Sequence, residues 1–204
     1  MADRRQRRSP LALQLLLLLD EQPMHAYRMQ RLITERQKDR IVNIAQRNSV
    51  YQTLDRLQRA ELIEVHGTER ATGRPERTVY RLTDAGRAAL DTWLRGMLST
   101  PAQDFPEFPV AIAALPSITP ELAVELLEDR AAALRRHLAD ADADAAEASR
   151  IGLPRLLFLE EEYLRAMTET ELRWVENLLN DLRTGRLSWD REWLAQVAAR
   201  LDPG

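Results

Sequence analysis

The sequence contains no cysteine. Disulfides, thiolate zinc sites and cysteine nucleophiles are therefore excluded. Histidine is scarce as well. His25, His66 and His137 are the only three, and no His/Asp/Glu group has metal-ligand spacing. A glycine-rich phosphate loop and a nucleophile elbow are both missing. Glu160, Glu161 and Glu162 point in three directions around a helix, which makes them surface residues rather than a paired acid and base. The chain is thus expected not to be an enzyme, and to need no cofactor and no metal.

Long hydrophobic runs are absent too. The leucine run over residues 15–19 is far short of the roughly 20 residues of a membrane span. The basic start, residues 4–8, resembles the front of a signal peptide, but Asp20-Glu21-Gln22-Pro23 follows the leucines with no small-residue cleavage site. A cytoplasmic protein without membrane contact is expected. Lysine is nearly missing: Lys38 stands alone among arginines. Arginine's planar fork suits phosphate and guanine.

What is present is a soluble composition of 204 residues, 45% hydrophobic and 30% charged, with a net charge of −3. That small charge hides an asymmetry. Residues 1–100 carry 18 Lys+Arg against 12 Asp+Glu, and residues 101–204 carry 11 against 20. A basic half joined to an acidic half fits a nucleic-acid-binding module with an appended domain.

Ser9 and Pro10 form a helix start. The leucines after them predict a helix to about residue 20, too apolar all round for a surface helix. Pro23 interrupts, and a second helix is expected over about 25–38 with Tyr27, Met29, Leu32 and Ile33 buried. A third, over about 47–60, has Val50, Tyr51, Leu54 and Leu57 at three-and-four spacing. Its other face presents Asn48, Ser49, Gln52, Thr53, Asp55 and Arg56. Strands follow at residues 62–66 and 77–82, flanking the turn Gly73-Arg74-Pro75. Thr83 caps a fourth helix to about residue 99.

Three helices and a hairpin in that order predict a winged helix-turn-helix. The fold class expected is mostly α with a small β-hairpin wing, carrying a C-terminal long-helix dimerisation domain. The organisation expected is a basic arm over 1–9, the winged helix-turn-helix over 10–99, a proline-rich connector over 100–120 and a helical dimerisation and effector domain over 121–204. In the last, long helices are expected over about 121–150 and 155–182, with Ser188 capping a final one.

Three segments resemble the PadR family of transcriptional regulators. They are Pro23-Met24-His25-Ala26-Tyr27, then Ser49-Val50-Tyr51-Gln52-Thr53-Leu54 running on to Ala60-Glu61-Leu62-Ile63, then Gly73-Arg74-Pro75-Glu76-Arg77 leading to Tyr80-Arg81-Leu82-Thr83-Asp84-Ala85-Gly86. Ala26 and Ala60 stand where the family usually has glycine. Because alanine avoids positive φ, the turn at 60–61 is expected to be more helical than in relatives. The resemblance implies a homodimeric repressor responsive to small molecules.

Recognition helices enter the major groove with short polar side chains first. Asn48, Ser49, Gln52 and Thr53 fit that need, and Arg47 and Arg56 flank them for phosphate or guanine. Tyr51 fits either the core or a phosphate contact. Arg74 and Arg77 of the wing are expected to follow the backbone or enter the minor groove. The arginines at 4, 5, 7 and 8 offer further phosphate contacts. An effector pocket, for a small aromatic or apolar molecule, is expected from Trp93, Met97, Phe108, Tyr163 and Trp174; the same aromatics also fit plain core positions. The expected partners are thus double-stranded DNA with a pseudo-palindromic operator, a second copy of the chain, and such an effector. The alternative is a winged-helix interaction adaptor without sequence-specific DNA binding.

Overall fold

The structure, a computed structural model, describes residues 9–44, 48–69 and 77–201. The arginine-rich arm over 1–8, Arg47, and the wing tip with Arg74 lie outside the described residues. The chain divides into two compact units, residues 1–104 and 105–204.

In the first unit, helix α1 (Pro10–Glu21) begins where Ser9 accepts a hydrogen bond from the Ala12 amide. Ala12, Leu15, Leu16, Leu18 and Leu19 are buried. Leu11, Leu13 and Leu17 are partly buried against the same core. This all-round burial explains the apolar sequence: α1 is the central helix of its unit, packed on two later helices and on the sheet.

Strand β1 (Met24–His25) follows, then α2 (Ala26–Glu35). His25 is the N-cap, its Nδ1 accepting from the Arg28 amide at 3.0 Å. The helix expected to reach residue 38 stops at Glu35, because Gln37 takes a left-handed φ of 54° and a 3-10 turn covers Lys38–Arg40. Tyr27, expected in the core, is 53% exposed, since Ala26, Met29 and Ile33 form the buried stripe. Helix α3 spans Ser49–Arg59.

The α3 exit is a Schellman turn. The Glu61 amide bonds the Gln58 carbonyl at 2.9 Å, and the Leu62 amide bonds the Leu57 carbonyl at 3.0 Å. Ala60 keeps φ −86°, while Glu61 takes φ 58°. The left-handed residue thus falls one position after Ala60, on a glutamate.

Strands β2 (Ile63–Glu69) and β3 (Arg77–Leu82) pair antiparallel, with a one-residue bulge between Val65 and Gly67. The expected hairpin gains a third strand, because β1 pairs antiparallel with β3 through Met24–Tyr80 and His25–Val79. A two-residue strand carries no periodicity to be seen in advance. Helix α4 (Asp84–Ser99) starts where Thr83 Oγ1 accepts from the Gly86 amide at 3.0 Å. The Thr83 amide and hydroxyl both donate to the Leu62 carbonyl, at 3.1 and 3.0 Å. Helix and strand come so close that a Cβ on Gly86 would sit 2.0 Å from that carbonyl oxygen.

The second unit has its own core. Helix α5 (Glu107–Ala113) lies within the segment expected as connector, yet Phe108, Ile112, Leu115 and Ile118 pack into this core. Two long antiparallel helices form the rest, α6 (Pro120–Arg150) and α7 (Leu159–Arg183). Ala123, Leu127, Ala131 and Leu134 of α6 meet Val175, Leu179 and Leu182 of α7. Across the same seam, Arg130 pairs with Glu171, Arg135 with Glu176, Arg183 with Glu128 and Arg165 with Asp142. The last helix, α8, spans Arg191–Leu201. Asp190, not Ser188, starts it, accepting from the Trp193 amide at 2.7 Å.

Candidate nucleic-acid interface

The start of α2 and the root of the wing meet at Tyr27 and Arg77, and α3 packs on α2 and β2. On α3, Val50, Thr53, Leu54 and Leu57 are buried. Their i, i+3, i+4, i+7 spacing defines the inner face. Thr53 therefore does not lie on the outer face where it was expected; its relative exposure is 8%. Ser49 is half-buried, and its hydroxyl lies inside without a hydrogen-bond partner among the described residues. Tyr51 is resolved toward the outside, at 49% exposed. Asn48, Tyr51, Gln52 and Asp55 form the solvent face. Asn48 makes no side-chain cap to its helix, so its amide is not spent on the backbone there.

Arg56 is half-buried rather than outward. Its Nη2 donates to Ser9 Oγ at 3.1 Å and ties α3 to the cap of α1. Arg59 donates to the Asp55 carbonyl. Near this face, the Tyr80 phenol is pushed above its ordinary pKa, first by burial and then by the negative charge of Asp55.

At the wing root, Arg77 lies over the Tyr27 ring, its Cζ 5.0 Å from the centroid. Its Nη1 is 3.5 Å from His25 Nε2, and the His25 and Tyr27 rings stack at 6.2 Å. Four residues along β3, Arg81 Nε donates to Glu64 Oε1 at 2.5 Å across β2 and β3. Its charge is thus matched within the sheet. Sequence reasoning missed Tyr27 and His25 as site residues. The signal available was the mismatch of Tyr27 with the Ala26-Met29-Ile33 stripe.

The effector candidates are distributed over both units. Trp93 is 6% exposed within the first core, and Met97 is half-buried on the same α4. In the second unit, Phe108 and Trp174 meet edge to face at 5.9 Å. Arg130 Cζ lies 3.4 Å from the Phe108 centroid, and Arg130 Nε donates to Glu171 at 2.6 Å. Tyr163 is 64% exposed on α7, away from this pair. Among the described residues no group of His, Asp and Glu could hold a metal ion, and no helix is long and apolar enough to cross a membrane.

A central apolar helix, a recognition helix with a polar outer face and a three-stranded sheet ending in a wing define a winged helix-turn-helix. Residues 15–92, within the first unit, match the family model described as "Transcriptional regulator PadR-like family". No curated protein sequence matches. Among solved structures, Bacillus subtilis PadR in complex with operator DNA has a TM-score of 0.68 at 20% identity, covering 84% of this chain and 98% of that one. The same Bacillus subtilis protein in complex with p-coumaric acid gives 0.68 at 19%, covering 86% and 99%. The Vibrio cholerae virulence activator AphA gives 0.64 at 19%, covering 85% and 98%. These identities speak for the fold, which extends through both units.

Proposed function

We propose that this regulator binds double-stranded DNA as a homodimer, represses transcription from a pseudo-palindromic operator, and is released by a small aromatic or apolar effector. The observation that carries the reading is the outward row Asn48, Tyr51 and Gln52 at the start of α3, in the unit whose wing is rooted on Arg77. Asn48 and Gln52 can pair bidentately with adenine, and Tyr51 can donate to a phosphate. Arg47, Arg74 and Arg77 supply sequence-independent contacts. Likeness to a protein solved with operator DNA and with p-coumaric acid supports the DNA and effector parts.

Dimerisation is supported by α7, which leaves Tyr163, Met167 and Trp174 between 46% and 64% exposed. Large apolar side chains in one such row favour association with a second copy. Sedimentation at micromolar concentration is expected to give twice the chain mass; a monomer would overturn this part.

The DNA reading is tested by gel shift with the DNA upstream of the protein's own gene. A salt-sensitive, sequence-preferring complex is expected. Gln52→Ala is expected to flatten the preference at one base pair, where a good bidentate contact is worth about 1–3 kcal/mol. A variant with unchanged operator preference would remove Gln52 from the site. Release is tested by adding phenolic acids to the complex and following loss of the shifted band.

A further inference from the structure

We propose that Tyr27, backed by His25, is a positioning residue that holds the Arg77 guanidinium at the wing root before DNA arrives. This rests on the reading above, that Arg77 meets the DNA backbone.

Three contacts converge there. The guanidinium lies over the Tyr27 ring at 5.0 Å, His25 Nε2 stands 3.5 Å from Arg77 Nη1, and the two rings stack at 6.2 Å. The spacing is set by backbone. His25 pairs with Val79 across β1 and β3, so Tyr27 and Arg77 each lie two residues from a fixed register point. His25 is itself held, because Nδ1 accepts from the Arg28 amide as the cap of α2. The short strand β1 thus fastens the start of α2 to β3 at Val79, two residues from Arg77.

Tyr27 is 53% exposed, so burial does not explain its place. A ring beneath a guanidinium does, because the ring face attracts the cation. A free arginine loses much rotamer freedom on docking to phosphate. One already laid on a ring has less to lose, and affinity rises by preorganisation. Tyr27 acts through Arg77 and leaves the number of neutralised phosphates unchanged.

The test is fluorescence anisotropy on a labelled operator duplex across a salt series, using the full chain. Tyr27→Leu is expected to weaken binding about two- to fivefold, as for an exposed cation–π contact, with the salt slope of log K unchanged. Tyr27→Phe keeps the ring and is expected to bind like wild type. Arg77→Ala is expected to weaken binding and to lower the salt slope by about 0.9, one phosphate contact. In the Arg77→Ala background, Tyr27→Leu is then expected to add nothing. His25→Asn keeps a capping oxygen for α2 and is expected to cost less than Tyr27→Leu.

If Tyr27→Leu weakens binding equally with and without Arg77, Tyr27 acts on its own and the inference is overturned. The same holds if Tyr27→Phe is as damaged as Tyr27→Leu. If Arg77→Ala leaves both affinity and slope untouched, Arg77 does not touch DNA, and the interface assignment fails along with its positioning. A thermal midpoint for each variant separates a lost contact from a lost fold.

Discussion

Glu61 carries a conformation that its side chain disfavours. At φ 58° its Cβ crowds the backbone, a strain of about 1 kcal/mol that glycine escapes. Glu61→Gly is expected to stabilise the first unit by up to about 1 kcal/mol in urea denaturation; a loss of stability would mean that the glutamate side chain contributes more than the strain it causes. Gly86 is the opposite case. Its missing Cβ makes room for the Leu62 carbonyl, so Gly86→Ala forces helix and strand apart. A loss of about 3 kcal/mol is expected, read from the same denaturation curve. The resemblance drew attention to the missing glycine at 60, and the structure moves the demanding backbone to 61. Side-chain pattern alone does not report backbone φ.

At the scale of elements, the regular periods were legible and the short irregular pieces were not. The leucines of α1, the alternation of β3 and the Thr83 cap all appear in the sequence because each repeats or uses a favoured cap residue. The inner face of α3 was shifted. Tyr51 fits either the core or a phosphate contact by its place near the apolar stripe, but the buried spacing from Val50 through Leu54 and Leu57 includes Thr53 instead. The two candidates for base contact that remain outside, Asn48 and Gln52, are those whose amides are not needed for packing. β1 was invisible because two residues show no pattern, and the site cluster of His25, Tyr27 and Arg77 depends on it. Between α1 and α2, Arg36 donates both guanidinium branches to Glu21, at 2.5 and 2.8 Å. Arg36 holds the Glu21 carboxyl below its ordinary value of 4.5. A carboxylate with a depressed folded pKa stabilises the fold above its unfolded value and loses that contribution as pH falls through the folded one. Wild type is therefore expected to lose stability relative to Glu21→Gln as pH drops below about 4.5. The difference is small because both side chains are more than a third exposed. Equal slopes with pH would remove this pair from the acid response.

On the scale of the whole molecule, two cores imply two unfolding events. The first is built around α1 and the second on the α6–α7 seam. Removing a buried leucine side chain costs about 2–5 kcal/mol. Leu16→Ala is expected to lower only the transition of the first unit, and Leu127→Ala only that of the second, in calorimetry with intrinsic fluorescence as a second probe. A single shared transition moved by both would show one cooperative body. The charge asymmetry in the sequence follows the same division, with the net positive charge on the half that carries the winged helix.

The Leu62 carbonyl accepts from the backbone and the side chain of Thr83, and Glu61 accepts from that side chain as well. The whole excursion from Leu62 out through the wing and back to Thr83 is therefore clasped at its base, independently of what its tip contains. A clasped loop can change length at little thermodynamic cost, since each doubling adds only about 0.6 kcal/mol of closure entropy. Residues inserted beside Gly73 should lengthen the wing while the helices beneath stay folded. The wing is in that sense an interchangeable fitting, and the clasp at Leu62 and Thr83 is what leaves it free to vary.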